Sequence, residues 1–200
     1  MNKIEFDTKI EGKPQAAFVI LYALDGKPWL HHPGLSSYRR NLIIPTCLMI
    51  NRADGGVGFV GGMVEKDETL AEAATRETDE EIGYNISTLL VPIVAHEMDK
   101  ITSHAFASRL DYEELRKVQK EATNAIHFGS EVTGVFLPHL YDYRGRFGNG
   151  GGLVSLLRIN MVRGAREQFA HFLINTDILT RSELDSICLS TNFTLDNLLQ

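Results

Sequence analysis

Cysteine, proline and tryptophan are scarce here, at two, six and one among 200 residues. Cys47 and Cys188 stand alone at no metal-ligand or redox spacing, which excludes a disulfide scaffold, a structural zinc site and CxxC chemistry; both read as reduced packing residues. Long apolar runs are missing too. The longest, over 16–24, falls well short of the ~20 residues a spanning helix needs, and the opening MNKIEFDTKIEGK lacks a secretory segment. These absences predict a soluble, intracellular protein with no membrane partner. Basic charge is also short, with 20 Lys and Arg against 26 Asp and Glu. A net charge of -6 argues against sequence-blind binding to nucleic acid, and there is no basic nuclear-localisation cluster.

What is present suits one globular domain over 1–200 with helices at its C-terminal end, since 44% of the residues are hydrophobic and no repeat or linker interrupts them. Apolar, β-branched runs predict strands over 15–24, 41–51 and 58–60, then 87–97, 103–110 and 131–140. An irregular loop is expected over 28–40. Amphipathic spacing predicts helices over 112–122 and 165–174, with at least a last turn over 181–190. The tract RGRFGNGGG at 144–152 reads as a plain Gly-rich loop. The order is mixed α/β.

The most informative stretch is 62–84, GMVEKDETLAEAATRETDEEIGY. Gly61 and Gly62 mark a turn, 69–81 contains neither Gly nor Pro, and Gly83 is a natural helix stop, so the segment is a loop followed by a helix. At about 100° per residue, Leu70, Ala74, Glu77 and Glu81 share one stripe, flanked by Ala73 and Glu80, while Glu68, Glu72 and Asp79 lie opposite. Three carboxylates therefore continue the face that packs against the protein. Such a cluster is costly unless a cation neutralises it, and all-oxygen donors point to Mg²⁺ or Mn²⁺ rather than Zn²⁺. Carboxylate-held divalent ions that also grip phosphates are the means of hydrolysing a phosphoanhydride.

The spacing of Gly62, Glu68, Arg76, Glu77, Glu80, Glu81 and Gly83 matches the Nudix box. If each place were filled by chance about once in fifteen trials, all seven would coincide roughly once in a hundred million registers. The resemblance implies a Nudix α/β/α sandwich with a central mixed sheet and the box as a loop and helix beside it. It also implies Glu77, Glu80 and Glu81 as metal ligands, the main-chain carbonyl of Gly61 as a further one, and a Glu68–Arg76 ion pair bracing loop to helix. Thr78 departs from the pattern, which has an aliphatic residue there. Glu81 or Glu131 would take the water's proton, Glu77 and Glu80 mainly holding metal; Glu131 reads equally as a solvated strand-leading residue.

Further segments, NRADGGVGFVGG at 51–62, RLDYEEL at 109–115, GSEVTG at 129–134 and GAREQ at 164–168, resemble one Nudix branch. That branch comprises the metazoan snoRNA-decapping enzymes, which also act as inosine diphosphate phosphatases, and their non-enzymatic relative syndesmos. On this resemblance Arg52 and Phe59 line a nucleotide pocket and Gln168 reads a purine edge. The residues alone allow surface roles for Arg52 and Gln168 and a core role for Phe59. Phe18 stands where the branch has a purine-contacting His; it can stack but not hydrogen-bond, which implies altered base selectivity. Val60 replaces a Pro of the branch. His104 reads as a packed histidine.

The implied activity is release of a nucleoside monophosphate from a purine nucleoside diphosphate such as inosine diphosphate, or of a 5′-monophosphate RNA from a capped one. Two divalent ions would offset about four negative charges and let the acidic chain accept an RNA end. Two alternatives stay open: a pyrophosphatase of ADP-ribose or protein-linked ADP-ribose, and an inactive syndesmos-like RNA- or protein-binding module. Homodimerisation and a nuclear, nucleolar and cytoplasmic address are implied by the branch alone.

Overall fold

The computed structural model describes residues 13–98, 100–141 and 152–199. Its centre is β1 (Gln15–Ala23), a nine-residue apolar strand with neighbours on both edges. Along one edge β7 (Thr102–Arg109) runs parallel, and β6 (Val91–Glu97) pairs antiparallel with β7. The other edge is shared by β2 (Thr46–Cys47), opposite Tyr22 and Ala23, and β5 (Val60–Met63), opposite Ala16 to Val19. A smaller antiparallel sheet orders β4 (Val57–Gly58), β3 (Met49–Arg52) and β8 (Val132–Phe136).

Because β1 is buried on both faces, its two-residue period separates two cores. Ala17, Val19, Leu21 and Ala23 pack with residues of α2 (Leu70–Ile82) and α3 (Tyr112–Glu121). Ile20, with Phe18 and Tyr22 packed alongside, meets α4 (Leu153–Arg158), α5 (Ala165–Asn175), α6 (Arg181–Cys188) and α7 (Leu195–Leu198). The result is the expected mixed sheet between helical layers. Phe59, Phe169 and Phe172 anchor the second core, each at most 1% exposed. Burying such a side chain contributes about 1.5–3 kcal/mol.

Several expected boundaries move, for local reasons. The strand expected over 41–51 begins only at Thr46, since Pro45 has no N–H to give a ladder, Ile43 is exposed, and the Ile44 N–H goes to the Gly26 carbonyl. The strand expected over 131–140 stops at Phe136, two residues before Pro138. The start of the 87–97 strand is likewise lost, with Leu89 79% exposed. A short α1 (Ser37–Arg40) forms inside the expected loop because Ser36 caps it. Apart from Gly152, the Gly-rich tract 144–152 lies outside the described residues. Among the described residues, no helix is long and apolar enough to cross a membrane.

Candidate functional site

The site is built where α2 meets β5. Thr69 caps the helix in a capping box with Glu72, and Gly83 ends it in the left-handed conformation at φ 68°. Its inward stripe is buried at Leu70, Ala73, Ala74, Thr78, Glu81 and Ile82. The Thr78 hydroxyl, foreign to an aliphatic position, is satisfied by the Ala74 carbonyl at 2.6 Å. Val60 sits fully buried in the ladder opposite Val19, so the Pro-to-Val departure leaves the strand intact.

Two glycines let the helix carboxylates reach the sheet. A Cβ on Gly61 would lie 2.2 Å from the Ala17 carbonyl oxygen, and the residue holds φ 142°, a conformation that favours glycine. A Cβ on Gly62 would lie 2.5 Å from the Glu77 carboxyl carbon. Glu77 thus occupies the space a side chain at 62 would take. Glu81 accepts the Gly61 N–H at 2.8 Å and faces the Arg52 guanidinium at 3.5 Å.

Glu81 is 1% exposed, and burial pushes its carboxyl up to about 7; the Gly61 N–H and Arg52 pull it down, while Glu77 and Glu131 push it further up. Glu77 is also raised, mainly by burial, with Arg76 opposing and Glu80 and Glu131 assisting. Glu131 therefore belongs to the same electrostatic cluster despite its distance in sequence. It is brought there by its carbonyl, which accepts the Ala53 N–H at 2.8 Å beside Arg52, and its exposed carboxylate lies 3.5 Å from His127.

Arg76 ties the loop down. It grips Glu68 through Nε at 2.9 Å and Nη2 at 3.1 Å, donates to the Met63 carbonyl at 3.0 Å, and with Nη1 bridges Glu77 at 2.9 Å and Glu80 at 3.0 Å. The expected Glu68–Arg76 brace is present, and Arg76 extends it to two of the carboxylates expected to hold metal. Consequently Glu80 is turned toward a guanidinium, and among the described residues no three acidic, histidine or cysteine side chains stand gathered as a ligand set. The donors still fit a hard divalent cation: all are oxygens, and Glu77 and Glu81 are held above their ordinary range by burial first and by neighbouring carboxylates, Glu80 and Glu131 for Glu77, Glu77 and Glu131 for Glu81, a strain that a cation would relieve.

On the far side of Gly61 and Gly62 opens a cleft of about 580 Å³, lined by Phe18, Arg52, Asp54, Met98, Lys100, Ile101, Val162 and Arg163 among others. Phe18 and Arg52 are placed here; a Cβ on Gly61 would touch the Phe18 ring at 2.9 Å. Phe59 and Gln168 are not. Phe59 is packed into the core 6.1 Å from Phe169, following the alternative core reading. Gln168 is 3% exposed, and its amide donates to the Ser103 hydroxyl at 2.7 Å, so in this arrangement it supports the wall rather than lining the cleft. His104 is packed, 3.1 Å from Gln15. Met98, Lys100, Val162 and Arg163 were missed by sequence reasoning; the one available signal was that 162 and 163 immediately precede the GAREQ segment.

Comparison with known proteins decides the family. A model of the Nudt16-like family, described as U8 snoRNA-decapping enzyme-like, matches residues 15–179. The chain belongs to this family of Nudix hydrolases. A U8 snoRNA-decapping enzyme of Xenopus laevis is 30% identical over 167 residues, covering 79% of this chain and 77% of the relative. One from Mus musculus is 32% identical over 139 residues, covering 66% of this chain and 70% of that protein. The fold matches a MutT/nudix family crystal structure from Listeria innocua at a TM-score of 0.52 and 16% identity, covering 86% of this chain and 96% of that one. Nudix hydrolases use divalent metal ions, and in this Nudt16-like chain the acidic oxygens around Gly61 are the donors that suit one.

Proposed function

We propose that this protein hydrolyses the phosphoanhydride at the 5′ end of a capped RNA, leaving a 5′-monophosphate, and that it also cleaves purine nucleoside diphosphates to monophosphate and phosphate. The observation that carries the reading is Glu81: a carboxylate 1% exposed, held by the Gly61 N–H and Arg52 and raised to about 7, at the edge of a cleft with an aromatic wall. The names of the relatives support an RNA substrate.

Glu77, Glu80 and Glu81, with Glu131 nearby, would hold Mg²⁺ or Mn²⁺, which when bound polarises phosphorus, favours ionisation of water and stabilises the leaving oxygen. Glu81 takes the water's proton as the new P–O bond forms and the bridging P–O bond breaks; the leaving phosphate departs with that electron pair. Glu131 is the alternative acceptor. Arg52 places positive charge beside the phosphates, and Phe18 offers a face for the base. Without a donor or acceptor on that ring, selection among purines is weak.

Initial rates on capped RNA, inosine diphosphate and ADP-ribose with Mg²⁺ or Mn²⁺ test the proposal. Capped RNA and inosine diphosphate should turn over faster than ADP-ribose, with Glu81→Gln lowering every rate by roughly 10²–10⁴. Preference for ADP-ribose, or retention of rate in Glu81→Gln, would defeat it.

A further inference from the structure

Two histidines between β6 and α5 have no part in the chemistry above. His96 of β6 pairs with Ser103 of β7 in the ladder, so both side chains leave the same face of the sheet. That face meets α5: the Gln168 amide donates to the Ser103 hydroxyl at 2.7 Å, and the Asn175 amide donates to the Ile93 carbonyl at 3.0 Å. Gln168, His171 and Asn175 are three and four residues apart and share one face of the helix. His171 is therefore held toward His96 between two fixed points.

The two rings stand 5.5 Å apart, centroid to centroid, at an interplanar angle of 63°. In each, Nε2 is buried and, among the described residues, has no hydrogen-bond partner. A buried ring nitrogen left unmade is costly, and two that share one contact can be satisfied together by a single cation. The Leu199 carbonyl accepts a hydrogen bond from the His171 ring, which assigns the lone pair to Nε2. A metal-bound imidazole characteristically gives its second nitrogen to such a carbonyl. Spacing agrees as well: Zn–N bonds of ~2.0–2.1 Å at a tetrahedral ion place two imidazole centroids about 5 Å apart.

The surrounding charges are mixed. Burial is the main force keeping both rings neutral, the form that ligates metal; Glu167 opposes it at His96, while His96 and Arg181 reinforce it at His171. Arg181 is itself 3.6 Å from Asp196, and Glu167 lies one helical turn before His171. Among the described residues no three such side chains are gathered as a ligand set, so the protein supplies two nitrogens and water completes the shell.

We propose that Nε2 of His96 and Nε2 of His171 form a site for a borderline divalent cation of the Zn²⁺ class, separate from the oxygen donors around Gly61. Imidazole suits Zn²⁺, Cu²⁺ and Ni²⁺, whereas Mg²⁺ takes oxygen. The site uses no cysteine, and so differs from the structural zinc sites the sequence excludes. Its role is a clamp: the ion ties α5 to β6 and steadies the wall that Gln168 and Ser103 support.

The test is a Zn²⁺ titration of the whole chain in excess Mg²⁺, read by long-range ¹H–¹⁵N spectra of the imidazole rings and by thermal unfolding. Zn²⁺ should move the ring signals of His96 and His171, leave those of His31, His32 and His104 in place, and raise the Tm with the logarithm of its concentration. His96→Phe/His171→Phe keeps two packed rings and removes all four nitrogens. It should bind about one equivalent of Zn²⁺ fewer and lose most of the rise in Tm. Signals of His96 and His171 that ignore Zn²⁺, or the same Zn²⁺ stoichiometry in variant and wild type, would overturn the site. The wild-type ring spectra decide the matter even where the double variant does not fold.

Discussion

Replacing Glu81 with Gln should stabilise the metal-free protein while removing its chemistry. The Glu81 carboxyl is 1% exposed and raised from 4.5 to about 7. Between those pH values the folded protein keeps a proton that the unfolded chain has released, so stability falls as pH rises through 4.5 to 7 and levels off above. The cost at pH 8 is about 3 kcal/mol on the scale of 1.36 kcal/mol per pKa unit. Gln carries no charge and retains an oxygen for the Gly61 N–H, but its amide N–H₂ then faces the donors of the Arg52 guanidinium in a buried place, which costs about 1 kcal/mol. A net gain of about 2 kcal/mol corresponds to a Tm higher by roughly 4–8 °C for a chain of this size. Circular-dichroism melts in EDTA from pH 4.5 to 8 provide the assay. The gap should open with rising pH and vanish near pH 4.5; a variant no more stable at pH 8, or a gap that ignores pH, would show that Glu81 does not carry this buried charge.

The adjacent glycines should behave oppositely. Gly61→Ala meets the Ala17 carbonyl at 2.2 Å at φ 142° and should cost about 3 kcal/mol or more, read as a lowered Tm. Gly62→Ala meets first the movable end of Glu77, so unfolding should shift by about 1 kcal/mol or less while turnover drops roughly 10–100-fold. Arg76→Ala strands Glu68, Glu77 and Glu80 together and should cost about 2 kcal/mol in EDTA, with Mg²⁺ narrowing the loss in parallel melts because a cation replaces the missing guanidinium at Glu77 and Glu80.

The loop and helix of the box were legible because their determinants are local. A cap at Thr69, a Gly83 stop and 3.6-residue spacing place Glu77 and Glu81 on the packed face without tertiary information. The double-sided burial of β1 likewise shows as an unbroken apolar run. The second half of the site was not legible in the same way. Lys100 and Arg163 are ordinary surface residues in sequence and come to line one cleft only through the fold. Phe59 shows the converse: the branch resemblance implied a pocket wall, the residue alone read as core, and it packs in the core against Phe169. Nor does spacing reveal that Arg76 reaches past Glu68 to Glu77 and Glu80, since an Arg can choose among several carboxylates in reach of one turn.

The proposed hydrolysis of a phosphoanhydride at the 5′ end of an RNA depends on Glu81. Its most direct test is single-turnover cleavage of a capped RNA in ¹⁸O-labelled water with Mg²⁺, wild type beside Glu81→Gln, with products identified by mass spectrometry. Cap release with one ¹⁸O per cleavage is expected in the wild type, and a rate lower by roughly 10²–10⁴ in the variant. Binding of the RNA without cleavage by the wild type, or cleavage at the same rate by both proteins, would contradict it.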